Sequence, residues 1–319
     1  MSDLLRVVVI GATGSVGTEL IGLLEERRFP LQELRPVASD RSLGEGIDIL
    51  DQDVAVETGM SSLRGLDRVF VCAPDTVALE WVRRCLRDEV RCIDVSGAMA
   101  GRGEVPLVGS PEGAGAPVVS VPPPAALALA RVLAVIPVEG LRVSATWLVG
   151  AGHAGRGGVD ALQGETIALF NQSEMPETGV FGREIAFDAI PLAGDDPAGP
   201  EPRVAGALER LVPGTIVSVA AVRVPVFSGL GLQVSLQADR ALDPAVVRDA
   251  LAKAPGIAIA DGPISTRDAL GRDEVHVGAL RAEPTRPGGV RFWVATDPVR
   301  LVAAAAVEAA RPAGRAAAP

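Results

Sequence analysis

Three glycines at three-residue spacing, Gly11-Ala-Thr-Gly14-Ser-Val-Gly17, are the first residues whose types and order could do chemistry. An unbroken β-branched run over residues 7–10 stops at Gly11, and Leu20, Leu23 and Leu24 then recur at helical spacing beside Glu25 and Glu26. Strand, glycine turn and helix N-terminus in that order make an anion site. Free backbone N–H groups and the positive helix end meet a pyrophosphate, and glycine lets the backbone come close. Gly11, Thr13, Gly14, Ser15, Val16 and Gly17 form this candidate cofactor turn. The spacing is G-x-x-G-x-x-G rather than G-x-G-x-x-G, so the context carries the reading, and a tight turn without a ligand is the alternative. A second polar cluster, Ser39-Asp40-Arg41-Ser42, ends residues 34–38, which read as the second strand. A dinucleotide fold tests the adenosine ribose there: an acid favours the free 2′-OH, and an arginine beside a hydroxyl favours the 2′-phosphate. Arg41 with Ser42 and Ser39 is the better phosphate clamp, so NADP is expected over NAD; a solvated polar turn is the alternative.

These residues need a scaffold, and the pattern supplies one. Residues 66–73 and 91–95 read as further buried strands, residues 77–86 as an amphipathic helix between them, and 105–108 and 118–121 as two short runs. Strand alternating with helix through this half means a parallel, doubly wound sheet. Pro122-Pro-Pro124 closes it and starts a long helix over 125–135, since proline is tolerated at a helix start. Beyond Pro137 the pattern changes. A strand over 141–149 and a helix over 155–171 come first, then a loop-rich, acidic, proline-rich insertion over 188–213. Two partly alternating runs at 215–226 and 232–238 follow, of the antiparallel type. A helix starts at Asp243, strands cover 275–280 and 289–295, and an alanine-dense helix covers 299–310 before a frayed tail.

At 319 residues two domains are expected, and 48% hydrophobic with 22% charged residues can bury a large core. Net charge −10 argues against nucleic acid or an anionic membrane as partner. No signal peptide is expected, because the N-terminal apolar run opens into the glycine turn, and no apolar stretch reaches a membrane span. Cys72, Cys85 and Cys92 have neither metal-ligand spacing nor a disulfide framework. The expectation is a cytoplasmic protein.

Six ordered motifs carry a family resemblance. They are residues 11–17, Ala38-Ser39-x-Arg41-Ser42-x-Gly44, Ile93-Asp94-x-Ser96-x-Ala98, Val105-Pro-Leu-Val with Pro111-Glu112, Phe187-Asp-Ala-Ile-Pro191, and Arg223-Val-Pro-Val226. In this order the chain resembles the aspartate-β-semialdehyde dehydrogenases over nearly its whole length. Phe181-Gly-Arg183-x-x-Ala-Phe187 and Asp268-Ala-Leu-Gly-x-Asp-Glu274 make it most like the divergent usg-type homologues.

The resemblance implies an NADP-linked, phosphorylating aldehyde oxidation that needs a cysteine thiolate, a histidine base and arginines for substrate carboxylate and phosphate. This chain departs from the pattern where the chemistry lies. The nucleophile position reads Pro124, followed by Ala125 and Ala126. Arg223 stands where the family has its arginine, but the base position seven residues on is Leu230. The family glutamine falls near Val149, the phosphate arginine on Ala100, and the C-terminal Asp-Asn on Asp297-Pro298. The acidic substrate residue falls within 202–210, where Glu209 is a guess.

Candidate replacements are few. His153 lies in the glycine turn after Val149 and could be a base for another reaction or a turn histidine. His276 reads as a sheet-surface residue. Ser120 and Ser228 have no recognisable base beside them, and Arg223 and Arg156 either bind an anion or form ion pairs. Asp188 reads as a structural partner in its loop, and Cys72 as a small core residue.

The expected architecture is α/β. A Rossmann-type dinucleotide-binding domain covers residues 1–123 with a returning helix over 299–311. A mixed α+β dimerisation and substrate domain covers 124–298, and the resemblance implies a homodimer. Two functions stay in play: a catalytically degenerate protein that keeps the cofactor fold, and an active NADP-dependent semialdehyde dehydrogenase or reductase of amino-acid biosynthesis that uses other residues. No metal site is expected.

Overall fold

The computed structural model describes residues 4–49, 52–177, 179–192, 196 and 199–312. The chain divides into two compact units, Met1–Pro123 with Val302–Pro319, and Pro124–Leu301.

In the first unit, β1 (Leu5–Ile10) leads into α1 (Ser15–Glu26) and β2 (Leu31–Val37). A small hairpin, β3 (Gly46–Ile49) and β4 (Gln52–Ala55), comes next, then β5 (Arg68–Val71), α2 (Asp75–Arg87), β6 (Cys92–Asp94) and β7 (Val118–Ser120). The main sheet runs β2-β1-β5-β6-β7, with every pair parallel. Val7, Val8, Val9 and Ile10 are all buried, as a central strand covered on both faces requires. β2 lies on one side of β1 and β5 on the other, so the strand order reverses beside β1. A doubly wound sheet opens its ligand crevice at that place, at the carboxyl end of the strand.

The second unit opens with α3 (Pro124–Leu133), β8 (Arg142–Val149), α4 (Gly155–Asn171), β9 (Ile190–Pro191), α5 (Pro200–Leu211) and β10 (Ile216–Arg223). β11 (Leu230–Gln237), α6 (Pro244–Ala252), β12 (Ile257–Ile259), β13 (Val275–Ala282) and β14 (Val290–Thr296) complete it. Its seven-stranded mixed sheet runs β12-β13-β14-β11-β8-β10-β9. One face is buried: Val143, Ala145, Trp147 and Val149 of β8 lie opposite Leu236, Val234, Leu232 and Leu230 of β11, in that order. The opposite face, with Arg142, Ser144, Ser218, Ala220 and Gln233, is exposed. The last helix, α7 (Pro298–Ala310), enters the first unit from Val302 onward. Its final carbonyls accept from arginines of that unit, Ala310 from Arg68 Nε at 2.9 Å and Ala309 from Arg91 Nη2 at 2.8 Å. Those carbonyls have no partner within the helix, so the two cations cap it.

Several expectations need correction. The presumed loop insertion over 188–213 holds β9 and α5. Pro200 sits in the first turn of α5, where its missing N–H costs nothing, and Val204, Ala207 and Leu208 form the buried stripe. Of the two runs expected to be antiparallel, β11 is antiparallel to both its neighbours, β8 and β14, whereas β10 runs parallel to β8 over its whole length and antiparallel only to the short β9. The helix after Pro122-Pro-Pro124 is ten residues long rather than a long one. The run at 105–108 forms no strand and meets the sheet only through a bridge from Leu107 to Ser120.

Candidate functional site

The first unit brings the two polar clusters of its cofactor half together. Gly11 N and Ala12 N donate to Val37 O at 2.7 and 3.1 Å, so the turn after β1 is bonded to the end of β2. Residues 40–42 form a 3-10 turn that follows Ser39, and Ser42 N donates to Ser39 O at 2.9 Å. Thr13 Oγ1 and Ser42 Oγ lie 3.0 Å apart and tie the clusters side chain to side chain, a link that sequence spacing does not reveal. Ser42 is thereby buried, whereas Ser39, Asp40 and Arg41 face solvent.

The glycines have separate reasons. Gly11 has φ +82°, and a Cβ there would press on Cys72 O at 2.7 Å. A Cβ at Gly17 would collide with the carbonyl of Gly11. Gly14 and Ser15 are exposed at the start of α1, Val16 is half-buried, and Gly14 as N-cap supplies no side-chain acceptor. The first N–H groups of α1 therefore remain available to an anion.

Two strands away from β1, at the end of β6, lies a buried carboxylate. Asp94 accepts from Ser96 Oγ at 2.5 Å, Ser120 Oγ at 2.7 Å and Met99 N at 2.9 Å. Ser120 thus does have a carboxylate beside it, contrary to the sequence expectation. Both are fully buried, so the cluster holds the ends of β6 and β7 together rather than presenting a nucleophile. Ala100, two residues past Ala98, is buried on the same loop. The thiols give no accessible thiolate. Cys72 is half-buried rather than a core residue, and desolvation together with the nearby Asp94 carboxylate pushes its thiol well above the ordinary range. The hydrogen bond with Cys85 raises Cys92 and lowers Cys85, but both are fully enclosed between α2 and β6.

In the second unit the register lines up four residues. Arg223 of β10 pairs with Val149 of β8, which pairs with Leu230 of β11, which pairs with Thr296 of β14. Neighbours in register share a face, so one row reads Arg223, Val149, Leu230, Thr296 on the buried side of the sheet. Val149 and Leu230 are each 1% exposed. Arg223 Nη1 is buried without a hydrogen-bond partner, and burial pulls the guanidinium below its ordinary value. Its face lies over the Phe181 ring at 4.3 Å.

Sequence reasoning missed what holds this arginine in place. Ile190 of β9 pairs with Arg223 on the outer side. Glu165 of α4, 1% exposed, accepts from Ile185 N at 2.7 Å and Ala186 N at 2.8 Å and so anchors the segment that carries Phe181. Glu201, rather than the guessed Glu209, is the acid of α5 that reaches the sheet, accepting from Ala221 N at 2.7 Å. Glu209 is exposed. A glutamate inside an otherwise apolar helix face, as at Glu165, was the one available signal.

The remaining candidates lie apart from this row. His153, on the 3-10 turn after β8, is exposed and meets Trp147 edge-on at 5.0 Å. Arg156 and Ser228 are exposed, as is Asp188, which pairs with Arg183 at 3.4 Å and accepts from Ala189 N. His276 is not on the sheet surface: it is 6% exposed, and its Nε2 is buried without a partner. Residues 260–264 pass over that part of β13, since a Cβ at Gly278 would meet Gly262 O and Ile264 Cγ2 at 3.2 Å. Pro124 is half-buried at the start of α3, and Asp297 Oδ1 caps the first turn of α7 through Val299 N and Arg300 N. Among the described residues no group of three His, Cys, Asp or Glu could hold a metal, and no helix is long and apolar enough to cross a membrane.

A doubly wound domain with an open phosphate-type turn, joined in sequence to a domain with a mixed sheet, defines a two-domain protein of the dinucleotide-binding class. Residues 6–112 match the semialdehyde dehydrogenase NAD-binding domain and residues 132–301 the semialdehyde dehydrogenase dimerisation domain. The chain belongs to the semialdehyde dehydrogenase family. It is 30% identical to an aspartate-semialdehyde dehydrogenase of Aquifex aeolicus and 31% identical to a USG-1 protein homolog of Azotobacter vinelandii, with 94% of each chain covered in both cases. A solved structure titled as a probable aspartate-semialdehyde dehydrogenase from Pseudomonas aeruginosa superposes with a TM-score of 0.88 at 31% identity, covering 96% of this chain and 97% of that one.

Proposed function

We propose that this chain is a homodimeric, NADP-binding member of the family that does not carry out the phosphorylating aspartate semialdehyde reaction. The row Arg223–Val149–Leu230 is the observation that carries this reading. The reaction needs a thiolate to add to the aldehyde and a base to take and return a proton. In the family pattern the thiol position is Pro124 and the base position is Leu230; neither proline nor leucine can form a bond to carbon or move a proton. The arginine persists with apolar neighbours, so anion binding outlasts the chemistry. Function has to be argued from the site rather than the fold.

The cofactor half supports retained nucleotide binding. Its exposed Gly14 and Ser15, its uncapped helix N-terminus and the Thr13–Ser42 link form an anion turn beside an arginine. That intact turn is also the observation that favours the second reading, a reductase of different chemistry that needs no thiolate.

Titration of the purified protein with NADPH and NADH, followed by fluorescence, tests the first part. Saturable binding that favours NADPH makes Arg41 and Ser42 the ribose-phosphate contact, and no binding at millimolar cofactor means the turn is architecture only. An assay of NADP reduction with aspartate semialdehyde and phosphate tests the second, and turnover would refute the degenerate reading. The double variant Pro124→Cys with Leu230→His is expected to stay inactive, because Ala100 leaves the phosphate arginine missing as well.

A further inference from the structure

We propose that residues 260–266 form a pH-sensitive strap that closes over His276 at neutral pH and lifts when the ring takes up a proton. The device goes beyond the cofactor and family readings and depends on neither. The strap leaves the end of β12 and crosses the open face of the seven-stranded sheet. A Cβ at Gly278 of β13 would meet Gly262 O and Ile264 Cγ2 at 3.2 Å, and one at Gly231 of β11 would meet both Thr266 Cγ2 and the Trp293 ring of β14. Asp261, Gly262, Pro263 and Ser265 are exposed while Ile264 and Thr266 are half-buried, so the segment has a wet outer side and an inner side against the strands. Its ends are tied: Ala260 N donates to Val277 O at 2.9 Å and Ser265 N to Asp268 Oδ2 at 2.8 Å.

His276 and Gly278, two apart on one strand, share the face that the strap crosses. The register sets Ala258 of β12 and Ala295 of β14 beside His276, with Gly231 of β11 next to Ala295, and Trp293 stands on the diagonal. Alanine and glycine are too small to cover an imidazole, so its burial comes from what crosses above. Both His276 Nε2 and Trp293 Nε1 are buried without a hydrogen-bond partner. A neutral imidazole can leave Nε2 as an unused acceptor. A protonated ring carries N–H at both nitrogens, and under the strap the one at Nε2 would find neither acceptor nor water. The charged groups around it do not remove that cost. Burial holds the proton off most strongly, Arg272 adds to it, and Glu274 opposes both. Asp261 of the strap is paired with Arg248 of α6, Asp268 with the Ser265 hydroxyl and amide, and Asp273 with Arg300 of α7. Asp297 at the end of β14 accepts from Gly271 N and caps α7, and Arg267 is exposed. The closed strap binds the proton less readily than the open one. Closure is therefore complete above about pH 6.5 and is lost as the pH falls below that value.

The test is nuclear magnetic resonance of the full-length protein, reading exchange of the tryptophan indole N–H groups with water, corrected for the intrinsic effect of pH. The Trp293 signal, assigned with Trp293→Phe, is expected to exchange several-fold to about tenfold faster at about pH 5.5 than at about pH 7.5. Trp147, buried on the other face, should exchange far more slowly at both, which marks local opening rather than unfolding. The His276 ring signal should titrate over the same range, below about pH 6.5. His276→Gln, with no proton to gain, should hold Trp293 exchange constant across it. Unchanged exchange at Trp293 in the wild type, acceleration that persists in His276→Gln, or exchange of Trp147 as fast as that of Trp293 would overturn the proposal.

Discussion

At the scale of single residues, Gly14 and His276 separate what serves a ligand from what serves the fold. Gly14 has ordinary extended backbone angles, and a Cβ there would touch only Gly11 O at 3.3 Å. Its smallness therefore matters to whatever approaches the turn more than to folding. Gly14→Val is expected to weaken NADPH binding by at least about tenfold while the melting temperature changes little, checked by titration and calorimetry. Unchanged affinity would remove the turn from the proposed cofactor site. His276 makes the opposite case. Burial holds its pKa below the ordinary histidine value, with Arg272 acting in the same direction and Glu274 against it. The unfolded chain thus binds this proton more readily than the folded one, so the contribution to stability is complete above about pH 6.5 and is lost as the pH falls through that value. Denaturant titrations between about pH 8 and pH 5 should show stability falling on the acid side, and His276→Gln should flatten that slope. An unchanged slope in the variant would assign the proton to another group.

At the scale of elements, the segment over Arg223 depends on one carboxylate. Glu165 of α4 collects two backbone N–H groups from Ile185 and Ala186, and without it both donors are left buried or half-buried with no acceptor. Glu165→Ala is expected to cost about 2–4 kcal/mol and to speed amide exchange at Ile185 and Ala186, whereas Glu165→Gln keeps an acceptor oxygen and costs less. Wild-type exchange at both amides in Glu165→Ala would mean that the segment holds itself. How far such elements are legible in the sequence follows from the same physics. β1 and α1 can be read directly, because a run of four β-branched residues followed by leucines at helical spacing fits no other pair of elements. α5 escapes such a reading because glycine, proline and acid before it look like loop, although proline is at home in a first helical turn. β10 reads as an antiparallel strand because it alternates. A parallel strand normally has two covered faces, and here the outer one is open. The burial of His276 depends on residues 260–264 crossing β13, a tertiary contact that leaves no local pattern. In the site, the glycine turn is legible because it is contiguous, while Glu165, Glu201 and Phe181 reach Arg223's neighbourhood only through the fold.

At the scale of the whole molecule, the open face of the seven-stranded sheet is where the proposed homodimer has to be tested. Ser144 of β8, Ser218 and Ala220 of β10 and Gln233 of β11 are exposed there, and Ile216 at the start of β10 is 65% exposed. Small side chains on a sheet face allow a second sheet to approach closely, and an exposed isoleucine adds apolar area that a monomer has little reason to leave in water. The matched dimerisation domain spans all of these strands. A stable interface needs about 1,200–2,000 Å² in total, more than a few loop contacts provide, so a sheet face is the natural choice. Ala220→Arg places a long cation at Ala220, which pairs with Thr146 in the middle of β8, without touching the buried side. The expected outcome is a monomer by sedimentation at a concentration where the wild type is a dimer, with NADPH affinity unchanged because the turn at Gly11 lies in the other unit. A variant that still sediments as a dimer would exclude this face and move the search to the exposed Phe170–Phe187 pair, whose rings stand edge-on at 5.9 Å. A monomer that also loses NADPH would mean that nucleotide binding depends on the assembly, and the two halves could no longer be treated as separate sites.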